Sequence, residues 1–405
     1  MDEVTIGARL RVLRNWRGMS LTAVAGQAGL STSFLSMVER GQRALDRRSH
    51  IGAVAAALKV SEAELVGGPH LSADPVQSQP HAGIPALGVA LETNVLGEPL
   101  CERARPLAEL VTEMTDQIEP LRRAYDYIGM GERLPAVIDE LHVHVADPAD
   151  EAAQRLALET LVEAAFYANI LAKGLGYLDL AHVAARMATE TAATLGDPVQ
   201  TGKAAFMRVL TVPKAGSWER ALTMAERAAG ALEPHARSPV GIQVLGMLTL
   251  SASLAAASIN RGQTASEWLG EAGQLAGRLP DDPENNWSFF SATNVGVWRV
   301  TVGVEHGEAG GAVLERSRTV DEHKISSVAG RRASFLADVG RGLARERSTR
   351  AQAVAWLRRA ENAAPQHIRN SPAVRETVAV LLTQSIAAAG GRELRGMASR
   401  MRVLH

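Results

Sequence analysis

Nine residues between positions 20 and 47 carry the chemistry that stands out first. They are the hydroxyls of Ser20, Ser31, Thr32, Ser33 and Ser36, the thioether of Met37, and the guanidinium groups of Arg40, Arg43 and Arg47. Short hydroxyl side chains hydrogen-bond phosphate oxygens and flat heterocycle edges, and arginines neutralise a polyanion. Chemistry elsewhere is sparser. Cys101 is the single cysteine, so neither a disulfide nor a thiolate metal cluster is expected, and a small incidental thiol is the plain reading. His142 and His144 stand two apart, point in different directions on a helix and have no third ligand in view. The chain has no Walker loop, Gly-x-Ser-x-Gly or His-Glu-x-x-His pattern, and Gly129-Met130-Gly131 is a fragment of a dinucleotide fingerprint with no strand before it. Neither catalysis, a metal nor a cofactor is expected.

The nine residues need helices to position them. Ile6, Leu10 and Leu13 fall at helical spacing, and Gly18 ends that run. Ser20 is placed to cap a helix from Leu21 to Ala28, Gly29 to make a tight turn, and Ser31 to cap a second helix from Thr32 to Arg40 that Gly41 stops. Asp46 is expected to cap a helix through Leu58, and Ser61 with Glu64 forms a capping box for a fifth. The spacing puts Val24, Ala25, Leu30, Phe34, Leu35 and Val38 in a core.

The segments Gly7-Ala-Arg-Leu-Arg-Val-Leu-Arg14, Gly18-Met-Ser20 and Ala25-Gly-Gln-Ala-Gly-Leu-Ser-Thr-Ser-Phe-Leu-Ser-Met-Val-Glu-Arg-Gly41 resemble the XRE family, the lambdoid-repressor type of helix-turn-helix, over residues 5 to 66. That resemblance implies double-stranded DNA as partner, with the second helix of the motif in the major groove. It places Thr32, Ser33 and Met37 at base edges with Ser36 beside them, and Ser20 and Arg40 on phosphates. Arg43 and Arg47 fall on the backbone or at the minor groove. It also implies an internal Arg14–Glu39 ion pair. Leu21 departs from the pattern, because many relatives carry a phosphate-binding Gln there. Thr32, Ser33 and Met37 are poor bidentate base readers, which points to DNA shape or water as part of recognition.

Charge agrees with a local contact. Residues 1 to 66 carry nine Lys/Arg against six Asp/Glu, whereas the 405-residue chain has a net charge of −1. A Pro/Gly-rich run over 67 to 99 is expected to be a linker, with a short helix near Ala86 to Leu91. The opening residues show no leader pattern, and the uncharged stretch from Val240 to Asn260, rich in Ala, Gly and Ser, reads as a buried helix. The expected location is the cytoplasm, with no membrane partner.

Residues 100 to 405 repeat. Gly131, Gly176, Gly216, Gly262, Gly307 and Arg350 recur at intervals of 40 to 46 residues, and Ala136, Ala181, Ala221, Ala312 and Ala355 each follow by five. The period resembles tetratricopeptide repeats with lengthened helices, although an armadillo- or HEAT-like count also fits. The expected fold is all-α: a five-helix head and a right-handed α-solenoid of helix pairs. Heads of this type joined to such repeats resemble peptide-sensing regulators of Gram-positive bacteria and comparable actinobacterial regulators, and five Lys among 43 basic residues suggest a GC-rich genome. The implied protein is a homodimeric transcription regulator responding to a peptide or small-molecule effector. The alternative is a DNA-binding protein whose repeats form a protein–protein scaffold.

Solenoids bind on the face lined by the first helix of each pair. The expected ligand contacts are Phe166, Asn169, Phe206, Arg208, Asn294 and Trp298, with Tyr167, Gln243 and Trp287 beside them. An internal hydrogen bond is the plainer role for the asparagines, and a core role for the aromatics. Arg331 and Arg332 could meet a carboxylate, with solvation the simpler reading.

Overall fold

The computed structural model describes residues 5–69, 78–212, 217–385 and 391–403. Among them the chain is all-α, with a single isolated bridge between Val95 and Glu98. The head comprises α1 (Ile6–Trp16), α2 (Leu21–Ala28), α3 (Thr32–Glu39), α4 (Arg48–Leu58) and α5 (Glu62–Val66). Its ends follow from local chemistry. The Thr5 side chain accepts from Ala8 N, Ser20 from Ala23 N and Ser31 from Phe34 N, and the Ser61/Glu64 capping box is formed. Gly29 adopts a left-handed conformation (φ +64°) that closes α2 and reverses the chain into α3. Ile6, Leu10, Val24, Leu35, Val38, Val54, Leu58 and Leu65 are buried in the head's own core, whereas Leu30 and Phe34 are only half-buried.

Asp46 does not cap α4. The residue before α4 is Arg47, which makes no side-chain cap, and the Asp46 carboxylate is drawn instead to Arg341 and Arg345. Two buried guanidinium groups outcompete backbone amides for a carboxylate.

The expected linker is shortened by tertiary packing. Residues 70–77 of it lie outside the described residues. Beyond them α6 (Ile84–Thr93) buries Ile84, Leu87, Ala90 and Leu91 in the repeat core, because one apolar stripe at helical spacing finds a partner in the following helices. There follow α7 (Leu107–Thr112), a π-helical segment (Glu113–Ile118) and α8 (Glu119–Ala124).

The repeats then run as α9 (Tyr127–Ala146), α10 (Glu151–Gly174) with α11 (Leu178–Leu195), α12 (Pro198–Thr211) with α13 (Trp218–Leu232), α14 (Pro239–Ser258) with α15 (Gly262–Ala276), α16 (Ala292–His306) with α17 (Gly310–Ser317), and α18 (Ala329–Ala344) with α19 (Arg350–Ala363). The short α20 (Pro365–Asn370), α21 (Pro372–Ser385) and α22 (Arg392–Arg400) complete the chain. Within each pair the helices pack on one another, and α10, α12, α14, α16 and α18 also pack each on the next, as stacked repeats must. In helix α14, the described helix long and apolar enough to cross a membrane, 94% of the most apolar 18-residue stretch is buried in the fold.

The register of the repeat differs from the expected one. Gly216 lies outside the described residues, Gly131 falls inside α9, and Gly176 lies two residues before α11, whereas Gly262 and Arg350 are first residues of their helices. Counting from glycine therefore slips by two or three residues between repeats: Ala181 and Ala221 are buried, but Ala136, Ala312 and Ala355 are exposed. Counting from helix starts restores the pattern, for the fourth residue of every second helix, Ala181, Ala221, Ala265, Val313 and Ala353, is buried. Two of these helices are tied alike: Asn169 Nδ2 donates to Ala181 O at 2.7 Å and Ser253 Oγ to Ala265 O at 2.8 Å. Each donor stands twelve residues before its acceptor, on the first helix of the pair.

The array closes on itself. At the α8–α9 junction Tyr127 N donates to Gln366 Oε1 (2.7 Å), Gln366 Nε2 to Asp126 Oδ1 (3.0 Å), and the Tyr127 hydroxyl meets His367 Nδ1 (2.9 Å). Gly330 allows this closure, because a Cβ there would stand 2.6 Å from the Tyr125 ring. The face lined by the first helix of each pair therefore borders a cavity.

Candidate nucleic-acid interface

The face of the helix-turn-helix is built by α2, the Gly29 turn and α3. Ser20, Ser31, Thr32 and Ser33 are exposed at helix starts, Ser36 and Met37 are half-buried one turn further along α3, and Arg40 and Arg43 are exposed beyond it. The Ser20 and Ser31 hydroxyls accept from their own helices and keep their protons free to donate. Arg40 folds back, its Nε on Ser36 O at 3.1 Å. Behind this face the Glu39 carboxylate grips Arg14 at 2.6 and 3.0 Å and raises its pKa, so that the ion pair orients α3 against α1. The arrangement offers exposed hydroxyl donors at the N-termini of α2 and α3 and two solvent-facing guanidinium groups at and beyond the C-terminus of α3, a surface suited to phosphates and base edges.

Arg47 is the exception. Its Nε donates to Glu305 O (2.8 Å) and its Nη2 to Asn260 Oδ1 (3.3 Å), and burial lowers its pKa, so it is spent on the repeats and not on the exposed face. It belongs to a clamp that docks the head. Glu305, 1% exposed, accepts from Arg48 N at 2.8 Å and pairs with Arg48 Nη1 at 2.6 Å and Arg341 Nη2 at 3.0 Å. Burial alone would raise the pKa of Glu305; Arg48 and Arg341 outweigh it and hold it at about 2. Arg341 also pairs with Asp338 (2.8 Å) and meets the Asp46 carboxylate (3.4 Å), which Arg345 reaches at 3.1 Å. A second point lies at Glu376, whose carboxylate accepts from Ile6 N (2.8 Å) and Leu45 N (3.3 Å); burial pushes its pKa up to about 7.

The expected ligand residues separate into two groups. Phe166, Phe206, Asn294, Trp298 and Arg331 line the central cavity, about 320 Å³ in volume, to which α10, α12, α14, α16 and α18 all contribute. Asn169 does not: it is fully buried with its amide on Ala181 O, the internal hydrogen bond that a buried amide needs. Arg208 is exposed, one helical face away from Phe206. Gln243 brackets a loop by donating to Asn286 Oδ1 (2.8 Å) and accepting from Trp287 N (2.9 Å), Trp287 stacks on Phe166 (centroids 5.1 Å apart), Tyr167 is buried, and Arg332 pairs with Glu322. Sequence reasoning missed Lys173, Arg122 and the clamp residues Glu305, Arg341 and Glu376. Only a charge inside an otherwise apolar helical stripe could have flagged them, and surface charges leave the same mark.

A family model described as a helix-turn-helix domain matches residues 5–66, the same span as the head. No curated protein and no solved structure matches the chain.

Proposed function

We propose that the protein is a sequence-specific DNA-binding transcription regulator, not an enzyme. The observation that carries this reading is the exposed α3, with Ser31, Thr32 and Ser33 facing outward at its start and Arg40 and Arg43 exposed at and beyond its end, in a domain of helix-turn-helix type. In the proposed complex α3 enters the major groove, Thr32, Ser33 and Met37 meet base edges, and Ser20, Arg40 and Arg43 hold phosphates. The protein acts as a homodimer whose two heads read half-sites about 34–36 Å apart.

The repeats act as the sensing part. Arg48 supports this: it lies on α4 of the head, lines the central cavity and binds Glu305 of α16. A ligand with different affinities for two arrangements of this wall would change how the head is held, and so the spacing of two heads.

The test is a mobility shift of the full chain on the DNA upstream of its own gene, across a salt series, beside Arg40→Ala/Arg43→Ala. Saturable binding that resists competitor DNA and is lost in the variant supports the reading. Equal binding by both proteins overturns the assignment of the head as the DNA reader.

A further inference from the structure

The central cavity is unlike the rest of the molecule in composition. Tyr125, Tyr127, Phe166, Phe206, Phe289 and Trp298 line it, six of the sixteen aromatic residues of a chain that is only 4% aromatic. Phe289 and its neighbour Ser288 reach it from a turn with positive φ (66° and 50°), a conformation costly for side chains of this size.

Its charge is equally uneven. Among the described residues, Arg48, Arg122, Lys173, Arg331 and Arg341 line the cavity against the single carboxylate of Asp338. Three of those cations are neutralised by groups behind the wall: Arg122 by Glu119, Arg48 and Arg341 by Glu305. The Asp338 oxygens are taken by Arg341 (2.8 Å) and the Thr301 hydroxyl (2.7 Å). Lys173 and Arg331 remain. Both are half-buried in the cavity wall, and among the described residues neither pairs with a carboxylate. Arg331 spends Nε on Asn294 Oδ1 (2.6 Å) and stands over the Trp298 ring (5.3 Å), while its Nη2 and Trp298 Nε1 have no acceptor among the described residues. Burial lowers the pKa of Lys173 to about 8, so it still carries its proton at neutral pH. His367, which faces both cations, is held neutral by burial and their charge. Two half-buried cations that have no carboxylate ion-pair partner among the described residues are costly to the empty protein and suited to an anion.

We propose that this cavity binds a small organic acid with a flat apolar body: the carboxylate meets Lys173 and the free Nη2 edge of Arg331, and the body lies among Tyr127, Phe166, Phe206, Phe289 and Trp298. Its volume of about 320 Å³ is at the lower end of small-molecule pockets and too small for an extended oligopeptide. The inference deepens the reading of the repeats as a sensor. Its test uses no DNA, so its failure and that of the DNA-binding reading are separable.

The experiment is calorimetric titration of the full chain with 2-naphthoate and, for comparison, 2-naphthamide, which has the same shape without the charge. Naphthoate is expected to bind one to one and at least about tenfold more tightly than the amide. Arg331→Gln and Lys173→Met each lower naphthoate affinity about tenfold or more and lower amide affinity by less, so that the preference for the acid shrinks. In the ligand-free protein Arg331→Gln raises the melting temperature, because an unpaired buried charge is gone; a purely structural role for Arg331 would lower it. Equal affinity for acid and amide overturns the proposal. So does the absence of naphthoate binding at about 1 mM. Both comparisons stand on the wild-type protein alone if a variant fails to fold.

Discussion

The head and the repeat region present their functional groups in opposite ways. Ser20, Ser31, Thr32, Ser33, Arg40 and Arg43 of the head lie within about thirty residues, sit at or near helix ends and face solvent, so capping and turn chemistry place them directly. The cavity draws its wall from Arg48 to Val374, and its groups face inward at low dielectric. A solvent-facing contact surface tolerates change residue by residue, whereas a buried charged wall does not: each cation there needs its counter-charge. The clamp shares the second character although it holds the first region.

Breaking the clamp should therefore give the largest effect. Arg341→Leu leaves the carboxylates of Glu305, Asp46 and Asp338 without their shared cation, at an expected cost of about 3–5 kcal/mol. Denaturant unfolding measures the cost, and hydrogen exchange at the Arg48 amide, which is bonded to Glu305, should accelerate with it. A loss below about 1 kcal/mol would mean that the head is docked by apolar contact and not by charge.

Next in size is a pH dependence. The pKa of Glu376 is raised to about 7 in the folded state from 4.5, so the folded protein binds the extra proton between those values. The stability contributed by protonated Glu376 is complete below pH 4.5 and is lost as pH rises to 7, by at most about 1.4 kcal/mol per pH unit. Glu62, raised to about 7 by burial, acts in the same direction; His50 and His367, lowered to about 4 by burial and neighbouring cations, act in the opposite one. The difference between wild type and Glu376→Gln isolates the Glu376 part: the variant should gain on the wild type from pH 5 to 8. Parallel curves would remove the buried carboxylate from the docking account.

On the exposed face the effects should be smaller and salt-dependent. Arg40→Ala/Arg43→Ala is expected to weaken DNA binding by about tenfold or more and to reduce the slope of log affinity against log salt by about 2. An unchanged slope would place neither arginine on a phosphate. Smallest is Asn169→Ala, which loses the amide bond to Ala181 O. We expect about 1 kcal/mol in thermal stability and no change in naphthoate affinity. A change in that affinity would return Asn169 to the ligand site.

Much of the head was legible because its determinants are local. Ser20, Ser31, the Ser61/Glu64 box, the Gly29 turn and the Arg14–Glu39 pair are all where the residue pattern puts them. Phe166, Phe206, Asn294 and Trp298 were also legible as inward residues of first helices. Asn169 and Asn294 were indistinguishable in the chain, since each is an amide in an apolar helix. They part only because Ala181 O lies beside one and Arg331 beside the other. Arg47 and Asp46 were misjudged for a related reason: pattern reading treats the head as a free unit, and their partners lie more than two hundred residues away.

The sequence by itself determined that the chain is helical, where the head begins and ends, and which residues face outward around α3, because helix periodicity and capping act over a few residues. Only the tertiary structure decided that the repeats close at Tyr127 and His367, that Lys173 and Arg331 share one cavity, and that Glu305 and Glu376 hold the head. Those outcomes depend on which buried charges find partners across the fold, and Coulomb energy at low dielectric follows distance in space and not along the chain.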